Sequence, residues 1–173
     1  MPWLAALVAA CASTPPPPMA LPDDAPWTTG RLGVRVEAEE GRPERGLSAL
    51  FELRGSGRQG ELRLSSPLGT RLAQAQWAPG IALLSTPDGD RRYDDLGELA
   101  RGALGEALPL AALPDWLAGR PWPGARHVAR EGGFEQLGWQ VDLRRHADGF
   151  VLAQRAAPPQ VTLRVKLDTA VQP

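Results

Sequence analysis

Ala49-Leu50-Phe51-Glu52-Leu53-Arg54-Gly55-Ser56-Gly57-Arg58-Gln59-Gly60-Glu61-Leu62-Arg63-Leu64 admits two folds, and the choice between them sets the class of the whole chain. Gly55, Gly57 and Gly60 spell a literal G-x-G-x-x-G, the turn that cradles a dinucleotide pyrophosphate when it opens a helix. That reading needs a helix after Gly60. Instead Leu62 and Leu64 alternate with Glu61, Arg63 and Ser65, just as Ala49, Phe51 and Leu53 alternate with Ser48, Glu52 and Arg54 before the glycines. A period of two on both sides of a glycine turn is a β-hairpin with one apolar face, and no phosphate site is expected.

The same period extends in both directions. Leu32, Val34 and Val36 alternate with Arg31, Gly33, Arg35 and Glu37, and Ala73, Ala75 and Trp77 alternate with Gln74 and Gln76. Ala78-Pro79-Gly80 and Pro87-Asp88-Gly89-Asp90 carry turn chemistry, Asp-Gly being a strong hairpin signal. The period then changes. Asp95 with Glu98 resembles a capping box, and Leu96, Leu99, Ala103, Leu104, Ala107 and Leu108 recur at three and four, predicting an amphipathic helix ending near Pro109. Leu110, Leu113, Trp116 and Leu117 predict a second short helix stopped by Gly119 and Pro121. Alternation returns through Trp139, Val141 and Leu143, then Phe150 and Leu152, then Val161, Leu163, Val165 and Leu167. The expectation is a mainly β, α+β fold: a curved antiparallel sheet capped by a helical insertion over its apolar inside.

Cys11 is the one cysteine of 173 residues. It follows the short apolar run Trp3 to Val8 and the small Ala9 and Ala10, and it precedes Pro15-Pro16-Pro17-Pro18. That run is too short to span a bilayer. The reading is a signal peptide over 1–10 with a truncated basic n-region, since the first basic residue is Arg31, then a lipidated, proline-rich tether over 11–26. The competing reading of Cys11 is an inert buried thiol. Residues 27–173 form one domain of ordinary size. A net charge of −1 with interspersed signs offers no basic stripe to nucleic acid.

Catalytic and metal signatures are not expected. His127 and His146 lack partners at metal-ligand spacing and read as surface residues, no G-x-S-x-G occurs, and Asp88, Asp90, Asp94 and Asp95 read as a turn and a helix cap. Ser65-Ser66-Pro67-Leu68-Gly69-Thr70 is more informative, because it sets a leucine at a turn tip. Leu68 either folds back onto its hairpin or stands out as an apolar probe for a membrane, where full burial is worth roughly 1.5–3 kcal/mol.

Several stretches carry a family resemblance: Leu64-Ser65-Ser66-Pro67-Leu68-Gly69; Asp88-Gly89 with Tyr93 and Asp95; Leu104-Gly105 with Leu108-Pro109; Leu113-Pro114-Asp115-Trp116-Leu117-Ala118-Gly119-Arg120-Pro121; and Gly138-Trp139-Gln140-Val141. In order and spacing they resemble the LolB family, outer-membrane receptors and insertion factors for lipoproteins, over about Gly30 to Asp168. The resemblance implies an incomplete antiparallel β-barrel with a short helical lid over an apolar cavity. It implies no catalysis and no cofactor beyond a covalent diacylglyceryl and acyl modification of Cys11. The implied location is the periplasmic face of the outer membrane, and the implied partners are the periplasmic carrier LolA, the acyl chains of lipoprotein cargo and outer-membrane lipid; the chain is expected to be a monomer. It assigns Pro67, Leu68 and Gly69 to a membrane-insertion loop. Cavity candidates are Val34, Val36, Phe51, Leu62, Leu64, Trp77, Leu99, Leu104, Trp116 and Val141, each of which ordinary core packing would also explain. A structural envelope lipoprotein with a filled barrel is the alternative.

Overall fold

The computed structural model describes residues 21, 25–39, 41, 43–104 and 108–168, the side chain of Leu104 excepted. The expected signal segment, Cys11 and most of the tether lie outside these residues. Six strands come first: β1 (Thr28–Val36), β2 (Arg45–Gly55), β3 (Gly60–Ser65), β4 (Arg71–Ala78), β5 (Ile81–Thr86) and β6 (Gly89–Tyr93). Helix α1 (Leu96–Leu104), a 3-10 turn (Leu110–Ala112) and helix α2 (Leu113–Leu117) follow. Five further strands follow: β7 (His127–Arg130), β8 (Gly133–Gln136), β9 (Trp139–Asp142), β10 (Phe150–Arg155) and β11 (Val161–Leu167).

All eleven strands form one antiparallel sheet in the order β6-β5-β4-β3-β2-β1-β11-β10-β9-β8-β7. Two meanders are fused along the β1–β11 seam, from Gly30↔Leu167 to Val36↔Val161. β6 and β7 are free edges, so the barrel is incomplete, as expected. Register carries the apolar alternation across the sheet: Leu53 opposes Leu62, Leu62 opposes Ala75, and Ala75 opposes Leu84. One face is therefore apolar throughout, and the helices lie over it.

Four strands escape the alternation pattern, β5 among them, and β10 carries it in the opposite phase, burying Val151 and Ala153 rather than Phe150 and Leu152. β6 and β7 are edge strands exposed along nearly their whole length, so neither has an inside to mark. β8 turns Phe134 and Gln136 inward, and a polar residue at one of its two inward positions hides the apolar period. At the β5–β6 turn Thr86 pairs with Gly89, so the turn proper is Pro87-Asp88 and Gly89 (φ 124°) begins the strand. α1 starts as its cap requires. The Glu98 N–H donates to Asp95 Oδ1 (2.7 Å) and the Glu98 carboxylate accepts from the Asp94 N–H (3.3 Å). Leu108 and Pro109 lie outside any helix, and 105–107 fall outside the described residues.

The glycines of the opening stretch are explained by packing. Gly55 takes φ 91° in the β2–β3 turn, a conformation costly for other residues. A Cβ on Gly60 would stand 2.3 Å from Trp77 Cζ2, and one on Gly57 would stand 2.2 Å from the Ala111 carbonyl oxygen. Trp77 Nε1 donates to the Ser56 carbonyl (3.0 Å), tying the turn down. The turn is pressed against strand and lid, and nothing in it opens a helix.

The convex face holds a buried charge. Glu61 is 1% exposed; its carboxylate accepts from Arg54 (2.7 and 3.1 Å), Arg63 (2.8 Å) and Gln74 (2.7 Å). The Trp27 ring lies 4.5 Å from the Arg54 guanidinium and 4.4 Å from that of Arg63. Cation–π contact thus fastens the start of the domain onto the outside of the sheet. Burial pushes the Glu61 carboxyl up, but hydrogen bonds from the two arginines, with their charges, outweigh it and hold the group below its ordinary value of 4.5. A depressed carboxylate stabilises the fold above its unfolded value, and that contribution is lost as pH falls through the folded one. In urea unfolding, the stability difference between wild type and Glu61→Gln is therefore expected to be largest above pH 4.5 and to shrink below it; a difference independent of pH would contradict this.

Candidate functional site

The lid treats the two halves of the concave face differently. Over β8 and β9, α2 sets Trp116, 1% exposed, against Phe134 and Trp139 with ring centroids 6.2 Å away in each case. Tilted aromatic packing fills this half. Over β3–β5, α1 supplies Leu99 and two small residues, Gly102 and Ala103, and a cavity of about 360 Å³ remains. Its walls include Leu32 and Val34 of β1, Leu62 and Leu64 of β3, Ala73 and Ala75 of β4 and Leu84 of β5. Leu108, Leu110 and Leu113 close it from the lid side. The volume falls in the range of small-ligand pockets, and an apolar lining of this kind holds no water firmly.

Of the residues nominated by sequence, Val34, Leu62, Leu64 and Leu99 line this cavity. Val36, Phe51, Trp77, Trp116 and Val141 are buried in the packed core and are not part of its wall. The side chain of Leu104 lies outside the described residues. Leu32, Leu47, Leu72, Leu110 and Leu113 are wall residues that the sequence reading did not nominate. Leu72 could not have been nominated by period: the β3–β4 register slips between Leu64 and Ser65, where Leu64 opposes Ala73 but Ser65 opposes Arg71. That bulge leaves Leu72 unpaired and lets it join Ala73 on the wall.

One end of the cavity reaches the sheet edge where the β1–β2, β3–β4 and β5–β6 turns cluster. Leu47, Leu64, Leu72 and Thr86 stand at the strand ends there, and Asp88 and Arg91 give the rim its polarity. Leu68 occupies the β3–β4 turn at this same end. Its side chain is 95% exposed, so it does not fold back onto its hairpin. The turn holds it out: the Ser66 N–H donates to the Thr70 carbonyl (2.8 Å), the Gly69 N–H to the Ser66 carbonyl (2.9 Å) and the Thr70 N–H to Ser66 Oγ (3.2 Å), with Gly69 at φ 84°.

A polar residue with no sequence signal holds the lid. Gln136 on β8 is 2% exposed. Its Oε1 accepts from Trp116 Nε1 (2.8 Å) and the Trp122 N–H (2.9 Å), and its Nε2 donates to the Trp122 and Ala125 carbonyls (2.7 and 2.8 Å). One amide thus binds α2 and the chain leaving it to the sheet. His146, expected at the surface, is half-buried, with Nε2 2.9 Å from the Leu117 carbonyl at the end of α2. Asp115 at the start of α2 accepts from Arg120 Nε (2.8 Å). Among the described residues no group of three or more His, Cys, Asp or Glu is placed to hold a metal ion, and no helix is long and apolar enough to cross a membrane.

Residues 26–171 match the family model described as Outer membrane lipoprotein LolB. Among similar proteins, the outer-membrane lipoprotein LolB of Bordetella petrii is 34% identical over 171 residues, covering 90% of this chain and 85% of that protein. The protein of the same name from Chromobacterium violaceum is 35% identical, covering 84% and 81% respectively. That from Thiobacillus denitrificans is also 35% identical, covering 83% and 80%.

Replacing Gln136 with Leu would leave the Trp116 indole N–H buried without a partner and remove the partner of three part-buried backbone groups of Trp122 and Ala125. At about 1–3 kcal/mol for the buried indole N–H and less for the groups water can reach, the expected loss is roughly 2 kcal/mol or more. Chemical denaturation followed by tryptophan fluorescence measures it, and a loss below about 1 kcal/mol would contradict the assigned role.

Proposed function

The chain belongs to the LolB family of outer-membrane lipoproteins, and on that footing we propose that it receives the acyl chains of lipoproteins from the periplasmic carrier LolA and releases them into the outer membrane. The observation that carries this reading is the apolar cavity under α1, which reaches the same end of the sheet as the exposed Leu68. A structural lipoprotein has no use for such a void. Dispersion contacts are forfeited around an unfilled cavity, and one larger residue at the wall position Ala73 would occupy it.

In this reading Cys11 carries the lipid that holds the domain at the periplasmic face of the outer membrane, and no chemical step is catalysed. Acyl chains enter between α1 and strands β3–β5, against Leu62, Leu64, Ala73 and Leu99. Leu68, with Pro67 and Gly69 shaping its turn, enters the membrane surface and brings the rim of the cavity to the bilayer. Direction needs no nucleotide. A tenfold affinity difference between carriers is about 1.4 kcal/mol, and each buried methylene contributes about 0.8 kcal/mol. Two methylenes better accommodated at each step are therefore enough to drive handover.

Two measurements test the proposal. Titration of an acylated peptide should show saturable binding, and Ala73→Phe, which projects a ring from a partly exposed wall position into the cavity, should weaken it at least about tenfold, equivalent to roughly two methylenes of lost chain burial, with the fold retained. Unchanged affinity would remove the cavity from the mechanism. Leu68→Glu should preserve uptake from LolA while lowering delivery to liposomes by about tenfold or more, as expected for losing the burial of one leucine; an equal loss in both steps would show that Leu68 does not act at the membrane.

A further inference from the structure

The convex face carries a second surface that the cavity does not explain. Strand register places Phe150, Lys166, Arg31, Leu50 and Ser65 in one row across β10, β11, β1, β2 and β3. The row ends at the turn bearing Leu68. Beside it runs a groove of about 500 Å³, lined by Arg31, Arg164 and Lys166 together with Pro67 of that turn, and by no carboxylate. Among the described residues, Arg31 and Arg164 are exposed and have no ion-pair or hydrogen-bond partner through their guanidinium groups. Phe150 is 36% exposed, with the Arg145 guanidinium 4.2 Å and the Lys166 ammonium 4.4 Å from its ring centre.

Acidic residues nearby do not cancel this charge in place. Asp148 accepts from Arg145 (3.4 Å), and its carbonyl accepts from Lys166. Asp168 accepts from the Thr29 hydroxyl (3.0 Å). Glu52, on the next row, subtracts one charge at the margin. The start of the domain is on the same side: Trp27 packs on Arg54 and Arg63 of this face, four residues along β1 from Arg31, or about 13 Å at strand rise. Cys11 lies sixteen residues before Trp27 in the chain, a reach of up to about 50 Å if extended.

We propose that this cationic face is a docking surface for anionic phospholipid headgroups, in which Arg31, Arg164 and Lys166 receive phosphate oxygens while Leu68 enters the bilayer beside them. The inference rests on the membrane role given to Leu68 and adds a lipid preference to it. Arginine suits the task because its guanidinium forks onto phosphate oxygens in pairs. The apolar members of the row, Leu50 and Phe150, face the same interface. Anchor attachment, apolar tip and cationic row would then share one side of the sheet, with the cavity rim at its end.

The test uses the full chain with Cys11→Ala, so that no lipid anchor contributes, and sedimentation with vesicles of phosphatidylethanolamine and phosphatidylcholine with or without one-quarter phosphatidylglycerol. Each surface cation contributes about fivefold in binding, so vesicles containing phosphatidylglycerol should bind about tenfold or more tighter, and high salt should abolish the preference. Arg31→Gln with Arg164→Gln should lower the preference to about the fivefold that Lys166 alone supports, while Arg31→Lys with Arg164→Lys should keep most of it; circular dichroism checks that each variant is folded. Equal binding to both vesicles, no binding to either, or a preference undiminished in the glutamine pair overturns the proposal. Leu68→Glu separates the two readings: weaker binding to both vesicle types supports the shared surface, whereas unchanged binding with the preference intact removes Leu68 from the membrane and leaves the cationic face standing.

Discussion

An antiparallel sheet of eleven strands presents apolar side chains from strand after strand to one concave face, and among the described residues a nine-residue helix, a five-residue helix and a 3-10 turn cover it. A helix that short buries a narrow stripe. Cover must therefore be concentrated somewhere, and the chain concentrates it in α2, where Trp116 meets Phe134 and Trp139. What remains over β3–β5 is closed by α1 with Gly102 and Ala103, residues too small to fill the space. The cavity is the shortfall between apolar face and lid, placed at one end of the sheet by where the large side chains were spent.

Such an arrangement needs one half of the lid to stay fixed while the other spans a void. Gln136 supplies the fixed point. Its four hydrogen bonds satisfy groups of α2 and the following loop that would otherwise be stranded in an apolar setting. His146, at the Leu117 carbonyl, secures the far end of α2. No equivalent polar tie joins α1 to the sheet beneath it among the described residues, which leaves the side of the lid over the cavity held by apolar contact and its own cap. On the convex face Glu61 plays the complementary part, drawing together β2, β3 and β4 and, through the arginines, Trp27.

Much of this was legible in the chain. Alternation across Leu32–Val36, Ala49–Leu64 and Val161–Leu167 marked the strands because each has one wet face and one dry face. Asp95 and Glu98 marked the start of α1 because helix caps are local chemistry. The edge strands β6 and β7 were invisible, since exposed strands have no inside to impose a period. Of the site, the turn-tip place of Leu68 was legible from Pro67 and Gly69 while its exposure was not, and Val34, Leu62, Leu64 and Leu99 followed from the inward phase of their elements. The same inward phase holds for Phe51, Trp77 and Val141, which are packed, so phase alone cannot separate wall from core. Gln136 gave no sign at all: its value lies in partners 11 to 20 residues away in sequence.

Sequence by itself determined the class of this fold, most of its strands and turns, the place of Leu68 at a turn tip and the likeness to one family, because these depend on local periodicity, on glycine and proline geometry and on ordered short motifs. Tertiary structure alone decided where the cavity lies, which leucines bound it, and that Arg31, Arg164 and Lys166 from two strands stand beside Pro67. Those facts depend on strand register, on a one-residue bulge at Leu72 and on which half of the sheet each helix covers. Each is set by how distant segments fit against one another, and no stretch of chain encodes that fit alone.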